Sequence, residues 1–509
     1  MAGGSCVVYY FVDKGLHPRP STEILDDLML QKPLNSRKER VVVLGSGWGA
    51  VSLLGQLDPF KYDIVCISPR NHFVMTPLLP SVTVGTIESR TIVESIRAIC
   101  PHVTFVEAEC TSFDKDKKEL SFINGASDLN ATEKGVKMTR SVSHNFRARQ
   151  RPEFKMAYDK LVVAVGADNN TFNTPGVEEN AHFLKEMKDA KAIRGAIIDS
   201  FESACNPGQT AEARKKLLSF VVVGGGPTGV EYAAELADLL HEDLKQQFPK
   251  LKDDVNIQLV EATGKMLGMF SAEVSKATAL NFEKEGITFL GDTFVKEVKP
   301  NEVIIQRKGS NVKESLTASV IVWATGIKCR PITNKLRECI GLDVQNNFRA
   351  LVTDAKLQVK GATSVYALGD CATIEGAPLP ATAQVAAQEG KYLASQLNGA
   401  KTMHADDASV LNSIRRQWWE LSGAVKPKEF SYDHKGSLAY IGGDQAAADF
   451  NKAFSGAFEK MGLPVMTGTM TNYLWKAFYF SEQLSMRTKA LLAVDWIKAK
   501  VFGRDFSRY

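Results

Sequence analysis

Long hydrophobic runs are missing from this 509-residue sequence. The longest uncharged stretches, Val41–Leu57 and Asn71–Ile87, are broken by glycine or proline. They fall short of the roughly 18 to 20 apolar residues a spanning helix needs, so no transmembrane helix is expected. Cysteine pairing is missing as well. Cys6, Cys66, Cys100, Cys110, Cys205, Cys329, Cys339 and Cys371 form no C-x-x-C pair and no zinc-ligand spacing. They read as reduced thiols in an intracellular compartment, with no metal site. Net charge is nearly absent: 62 Lys and Arg against 58 Asp and Glu leave a formal +4. Without a concentrated basic face, no nucleic-acid partner is expected. The N-terminus opens with the apolar Cys6–Val12, yet Asp13, Glu23, Asp26 and Asp27 make residues 1–39 too acidic for a good mitochondrial transit peptide. Localisation therefore has to follow from function.

What is present is a globular composition, 44% hydrophobic and 24% charged, in a chain long enough for two or three domains. Two strand–turn–helix signatures organise it. The first is Arg40-Val-Val-Val-Leu-Gly-Ser-Gly-Trp-Gly-Ala50, a buried strand running into Gly45-x-Gly47-x-x-Ala50. The second is Phe220-Val-Val-Val-Gly-Gly-Gly-Pro-Thr-Gly-Val-Glu231, which places Gly224, Gly226 and Gly229 ahead of a helix over Val230–Leu240. One glycine makes the tight turn, one lets backbone approach a pyrophosphate, and the third lets helix pack on strand. The phosphates then meet unpaired N–H groups at the helix start. A lone pattern of this kind is weak, whereas two copies behind Val-rich strands define two dinucleotide sites and an α/β fold of two Rossmann-like units.

Three further buried strands end in glycine at a carboxyl edge: Tyr158–Val165 before Gly166, Val320–Trp323 before Ala324-Thr325-Gly326, and Ser364–Leu368 before Gly369-Asp370. Between the first and the earlier signature, Ser112–Pro152 is polar and reads as a small antiparallel element with a loop. In the second unit the strand Val255–Val260 ends in Glu261, where an acid can accept from both ribose hydroxyls and repels a 2′-phosphate, so NADH is preferred to NADPH. In the first unit the equivalent strand ends at Ser68-Pro69-Arg70 with no acid, leaving Ser68 and Arg70 as substitutes. Asp370 can hydrogen-bond a ribityl chain, or it is an ordinary helix cap. Beyond Ala405 the character changes. Arg415-Arg416-Gln-Trp-Trp419 is followed by a loop-like Gly436–Gly443. Apolar residues then recur at helical spacing from Tyr473 to Phe502, interleaved with Trp475, Trp496, Lys476 and Lys498. That is the profile of amphipathic helices lying in a membrane interface, or packed on the protein or a dimer partner.

The ordered set Gly-Ser-Gly-Trp-Gly-Ala, Ser-Pro-Arg-x-x-Phe-x-x-Thr-Pro-Leu-Leu-Pro, Gly-Gly-Gly-Pro-Thr-Gly-Val-Glu and Ala-Thr-Ala-Gln-Val-Ala-x-Gln-Glu resembles the mitochondrial type II (alternative) NADH dehydrogenases. The likeness runs from Arg40 to Phe506 and includes the ending Trp496–Asp505. It implies non-pumping transfer of two electrons from NADH through FAD to ubiquinone, by a peripheral, homodimeric protein of the mitochondrial inner membrane. The implied division is an extension at 1–39, FAD-binding parts at 40–180 and 326–405, an NADH-binding part at 181–325, and a membrane-anchoring, dimerising part at 406–509. Carried over by motif, Gly45, Gly47, Ala50, Ser68, Arg70, Gly166, Gly369, Asp370 and Ala383 serve FAD, with Thr76, Pro77 and Leu78 beside its ring. Gly224, Gly226, Gly229 and Glu261 hold NADH, with Ala324, Thr325 and Gly326 closing that side. Glu231 stands between the nicotinamide and quinone sides, Gln384 lines the quinone site, and quinol protonation falls to water, Glu231 or Lys435. Some relatives carry His where this chain has Ala387.

Other readings are weighed against this one. A disulfide reductase needs a redox Cys pair after the first glycine turn, and none stands between Ala50 and Cys100. A sulfide:quinone oxidoreductase needs reactive cysteines, for which Cys329 and Cys371 are the candidates. A non-catalytic structural flavoprotein has no need to keep the glycines, Glu261 and Gln384 together.

Overall fold

The computed structural model describes residues 38–124, 153–399, 429–451 and 465–507. The first Val-rich run becomes the strand Glu39–Leu44, the middle of the five parallel strands in a seven-stranded sheet. Across that sheet the order is Val365–Ala367, Lys160–Val163, Glu39–Leu44, Tyr62–Ser68, Thr104–Asp114, Glu119–Asn124 and Glu153–Ala157. The first five strands pair in parallel and the last two add on antiparallel. Parallel strands are covered on both faces and therefore read as unbroken apolar runs, as Val41, Val42 and Val43 do, all without exposed surface.

The second run, Ser219–Val223, is the middle of a five-stranded sheet ordered His182–Phe183, Val320–Trp323, Ser219–Val223, Asn256–Val260 and Ile287–Leu290, parallel throughout. Each signature thus sits at the carboxyl edge of a central parallel strand, beside its helix, Trp48–Leu54 in one sheet and Pro227–Leu239 in the other. The α/β architecture of two Rossmann-like units is as expected. The polar stretch supplies the antiparallel pair expected of it, while 125–152 lie outside the described residues, as do 1–37 and the Arg415–Trp419 motif.

The C-terminal part differs from the sequence reading in one place. Gly436–Gly443 is not a loop: Ser437–Gly442 is a strand, joined by Gln445–Asp449 and Val465–Gly468 in an antiparallel sheet. Its glycines, Gly436, Gly442 and Gly443, have positive φ and mark the ends, while Ala439, Tyr440 and Ile441 between them are buried. The apolar Tyr473–Phe502 segment forms two helices, Thr469–Ser481 and Met486–Phe502. The second is tied to the first sheet's flank, where Asp495 accepts from Glu88 N and Thr91 Oγ1, and Thr488 Oγ1 donates to Glu94. Among the described residues, no helix is long and apolar enough to cross a membrane.

Candidate active site

The two glycine turns are nearly superposable in design. Gly45 has φ +113° and a Cβ there would lie 2.3 Å from the Ala164 carbonyl oxygen; Gly224 has φ +116° and its Cβ would lie 2.6 Å from that of Ala324. Both turns need glycine for sterics within the protein. Gly47 and Gly226 are different, because a Cβ on either meets no protein atom within 4 Å. Backbone left bare without an internal reason fits close approach by a bound pyrophosphate. Gly229 closes the second unit, its Cβ position 2.0 Å from the Gly224 oxygen, and fully buried Ala50 takes the same place in the first.

Around Gly47 the sequence motifs converge. Trp48 Nε1 donates to Thr76 Oγ1 at 2.9 Å, drawing the Thr76–Leu78 turn against the first glycine turn, with Leu78 fully buried. Gly166, also open on its Cβ side, ends the neighbouring strand. Ser68 is buried and shares a hydrogen bond of 3.0 Å with Ser46 Oγ, which also faces the Arg70 carbonyl. The Arg70 guanidinium pairs with Glu186 and leaves its buried Nε without a partner, a donor free for a ligand. Glu186 is the capping residue of the helix Met187–Ala204 and also faces Arg330 at 3.7 Å. The sequence reading missed it, since nothing local links it to Arg70.

Asp370 caps no helix. Thr382 caps the helix Ala383–Asn398 by accepting from Val385 N, while Asp370 sits in a 3₁₀ turn facing Lys185 at 3.9 Å, its carboxylate still able to accept. Gly369 N donates to Glu389 at 2.6 Å, a carboxyl that burial lifts to about 7. The helix starting at Ala383 crosses Trp48–Leu54 closely enough that a Cβ on Gly390 would lie 2.3 Å from the Gly49 oxygen. In the second unit, Glu261 accepts from Gly225 N at 2.6 Å and Thr263 N at 2.8 Å, fixed beside the glycine turn. Gly326, with φ +68°, lies under the exposed Phe172 ring at the end of Ala324-Thr325.

A third group lies where the C-terminal sheet meets both units. Gln384 Oε1 accepts from Tyr432 Oη at 2.9 Å and Lys435 N at 3.2 Å, and its Nε2 donates to the Gly436 carbonyl at 3.1 Å. Tyr432 Oη is also 3.1 Å from His434 Nδ1. Gln384 and Lys435 are thus brought together, although it is the Lys435 backbone that makes the contact. Further along that strand, Tyr440 N donates to Glu231 Oε1 at 3.0 Å, and Trp475 Nε1 adds a bond at 3.4 Å. Burial outweighs both donors and pushes the Glu231 carboxyl up to about 8. Tyr432, His434, Tyr440 and Trp475 were not foreseen, since their partners are dozens to hundreds of residues away. Among the described residues, no His, Cys, Asp or Glu cluster suits a metal. Cys329 and Cys371 are buried, and Cys371, pushed up to about 12 by burial, donates to the Val163 and Leu368 carbonyls, the environment of an inert thiol.

Two parallel-sheet units, each ending its central strand in an open glycine turn, define a flavoprotein with two dinucleotide-binding domains. Residues 39–390 match the family described as pyridine nucleotide-disulphide oxidoreductase, and 434–505 match the NDH2 C-terminal domain. The external alternative NADH-ubiquinone oxidoreductase of Yarrowia lipolytica mitochondria is 41% identical over 94% of this chain and 82% of its own. An external alternative NAD(P)H-ubiquinone oxidoreductase of Solanum tuberosum mitochondria is 36% identical over 94% and 92%. The NADH complex of NDH2 from Plasmodium falciparum superposes with a TM-score of 0.78 at 28% identity, covering 93% of this chain and all of that one. The chain belongs to the alternative NADH-ubiquinone oxidoreductases, the NDH2 family.

Proposed function

We propose that this protein oxidises NADH and reduces ubiquinone through FAD, without pumping protons, as a peripheral protein of the mitochondrial inner membrane. The observation that carries the reading is Gln384, held by the segment Tyr432–Gly436 that leads into the C-terminal sheet. Its Oε1 is filled by two donors and its Nε2 spends one hydrogen on Gly436, so one amide N–H is left over. A single neutral donor suits a quinone carbonyl oxygen.

FAD, when bound, supplies the redox chemistry between nicotinamide and quinone. The glycine turns at Gly45–Gly47 and Gly224–Gly226 would hold the two dinucleotides, with the Arg70 Nε, Asp370 and the Thr76–Leu78 turn available to the first. Glu261, fixed beside the second turn by Gly225 N and Thr263 N, would meet the ribose of the second dinucleotide and select against a 2′-phosphate. Hydride transfer asks only for proximity and dry surroundings, whereas quinone reduction also needs protons, and Glu231 holds one at neutral pH. The reduction NADH + H⁺ + Q → NAD⁺ + QH₂ takes one proton from solvent. The division at 40–180, 181–325, 326–405 and 406–509 belongs to this reading, supported by the two separate parallel sheets.

Membrane attachment falls to the C-terminal helices. Ile497, Val501 and Phe502 project from the docked helix, Phe502 with 83% of its surface exposed, and Met470 and Tyr473 project from its neighbour. Exposed apolar side chains beside Lys489, Lys498 and Lys500 suit an anionic lipid surface. A homodimer through the same unit is part of the proposal. The test is anaerobic mixing with NADH, following flavin absorbance, then adding short-chain ubiquinone: bleaching and full recovery are expected, and bleaching without recovery refutes the quinone assignment. Flotation with cardiolipin-containing vesicles tests attachment; a protein left at the bottom of the gradient refutes it.

A further inference from the structure

The helix Pro227–Leu239 buries three carboxylates on one face. Glu231 and Glu235 are 5% exposed and Asp238 is 3% exposed, and the spacing i, i+4, i+7 stacks them one turn above another. Neutral donors surround them. Glu235 accepts from Ser81 Oγ at 2.5 Å and Thr86 Oγ1 at 2.8 Å. Asp238 accepts from the Tyr440 hydroxyl and from Gly443 N at 2.8 Å. Tyr440 therefore spans the row, with its backbone N–H on Glu231 and its hydroxyl on Asp238. Past Asp238, buried Asp243 and the partly exposed Glu242 share Arg504, whose side chain is itself buried.

Charge bookkeeping then decides the state of the row. One buried guanidinium serves four buried carboxylates, Glu231, Glu235, Asp238 and Asp243. The other groups packed there are Trp475, Lys476 and Tyr479 from the helix Thr469–Ser481, and Asp444, which Lys476 and Lys500 hold. A buried carboxylate left ionised without a cation beside it is costly, so protons reside on Glu231 and Asp238. Burial lifts Asp238 to about 7 and Glu231 to about 8.

We propose that Glu235, held by Ser81 and Thr86, and Asp238, held by Tyr440, form a relay that returns protons to Glu231 from the protein surface beside Asp243 and Glu242. This rests on the quinone-reductase reading. Glu231 gives its carboxyl proton to a quinone oxygen, Glu235 reprotonates it, Asp238 reprotonates Glu235, and solvent reprotonates Asp238. Each transfer breaks one O–H bond and makes one. The electrons come from NADH, and one solvent proton is consumed per turnover.

The test uses full-length, flavin-loaded protein and the variants Glu235→Gln, Glu235→Asp and Asp238→Asn. For each, the rate with short-chain ubiquinone is divided by the rate with ferricyanide, which accepts electrons without protons, between about pH 6 and pH 9. The ratio is expected to fall about tenfold in Glu235→Gln and Asp238→Asn, most at the alkaline end, and to recover in Glu235→Asp. Equal ratios and pH profiles in Glu235→Gln, Glu235→Asp and the parent overturn the relay, whatever becomes of Asp238→Asn. A parent unable to reduce quinone at all instead overturns the underlying assignment.

Discussion

Replacing Glu231 by Gln changes stability in a way that depends on pH. In the native protein burial lifts this carboxyl from 4.5 to about 8, whereas in the unfolded chain it titrates at its ordinary value. Between those two values the native state keeps a proton that the unfolded state has released, so stability falls as pH rises, and it levels off above about 8. At about 1.4 kcal/mol per pH unit, the full displacement is about 5 kcal/mol, of which about 3 kcal/mol falls between about pH 5.5 and 7.5. Glutamine does not titrate. Its carbonyl accepts the Tyr440 and Trp475 N–H groups, and its buried amide lacks acceptors at a cost of about 1 to 3 kcal/mol that pH leaves unchanged. The stability gap between variant and parent therefore moves by about 3 kcal/mol in the variant's favour over that window. Urea titrations of both flavin-loaded proteins at a series of pH values measure it. A gap that stays constant, or moves against the variant, refutes the claim that Glu231 is protonated in the folded protein.

Glu261→Ala removes a carboxylate from the second ribose position; KM for NADH should rise about tenfold while that for NADPH rises less, measured by steady-state kinetics with ferricyanide. An equal loss with both nucleotides would assign Glu261 to holding Gly225 and Thr263 alone. Gly45→Ala meets the Ala164 oxygen in a left-handed backbone and should cost about 2 kcal/mol or more in a thermal melt, while Gly226→Ala meets no protein atom, so it should leave the melt unchanged and weaken NADH binding. Arg504→Met strands Asp243 in the interior, and about 3 to 5 kcal/mol of lost stability, with C-terminal peptides exchanging faster in deuterium labelling, is expected.

The parts of the fold legible in the sequence are those with local causes. Val-rich runs ending in spaced glycines announced both central strands, their helices and the open cradles at Gly47 and Gly226. Helical spacing from Tyr473 announced two helices. Glu231 was visible as an acid inside the second helix, while the inward turn of Glu235 and Asp238 beside it comes only from the packing. Three things were not legible. Arg70's partner Glu186 comes from another segment, Tyr440's two carboxylates lie more than 200 residues back, and Gly436–Gly443 looked like a loop because its terminal glycines masked the buried Ala439–Ile441 core.

The cover over Glu231 arrives late during synthesis. Tyr440 leaves the ribosome 202 residues after the Asp238 it caps, and Arg504 follows Asp243 by 261. Both parallel sheets are complete by Ala367, yet the acidic face of Pro227–Leu239 stays wet until the last stretch of chain is translated. Contacts of such long sequence separation close slowly. Nascent protein thus passes through a stage with finished sheets and an open acidic face. The residues that seal it belong to the same C-terminal stretch as the exposed Met470, Tyr473, Val501 and Phe502, so closing that face and presenting those apolar side chains are one folding event.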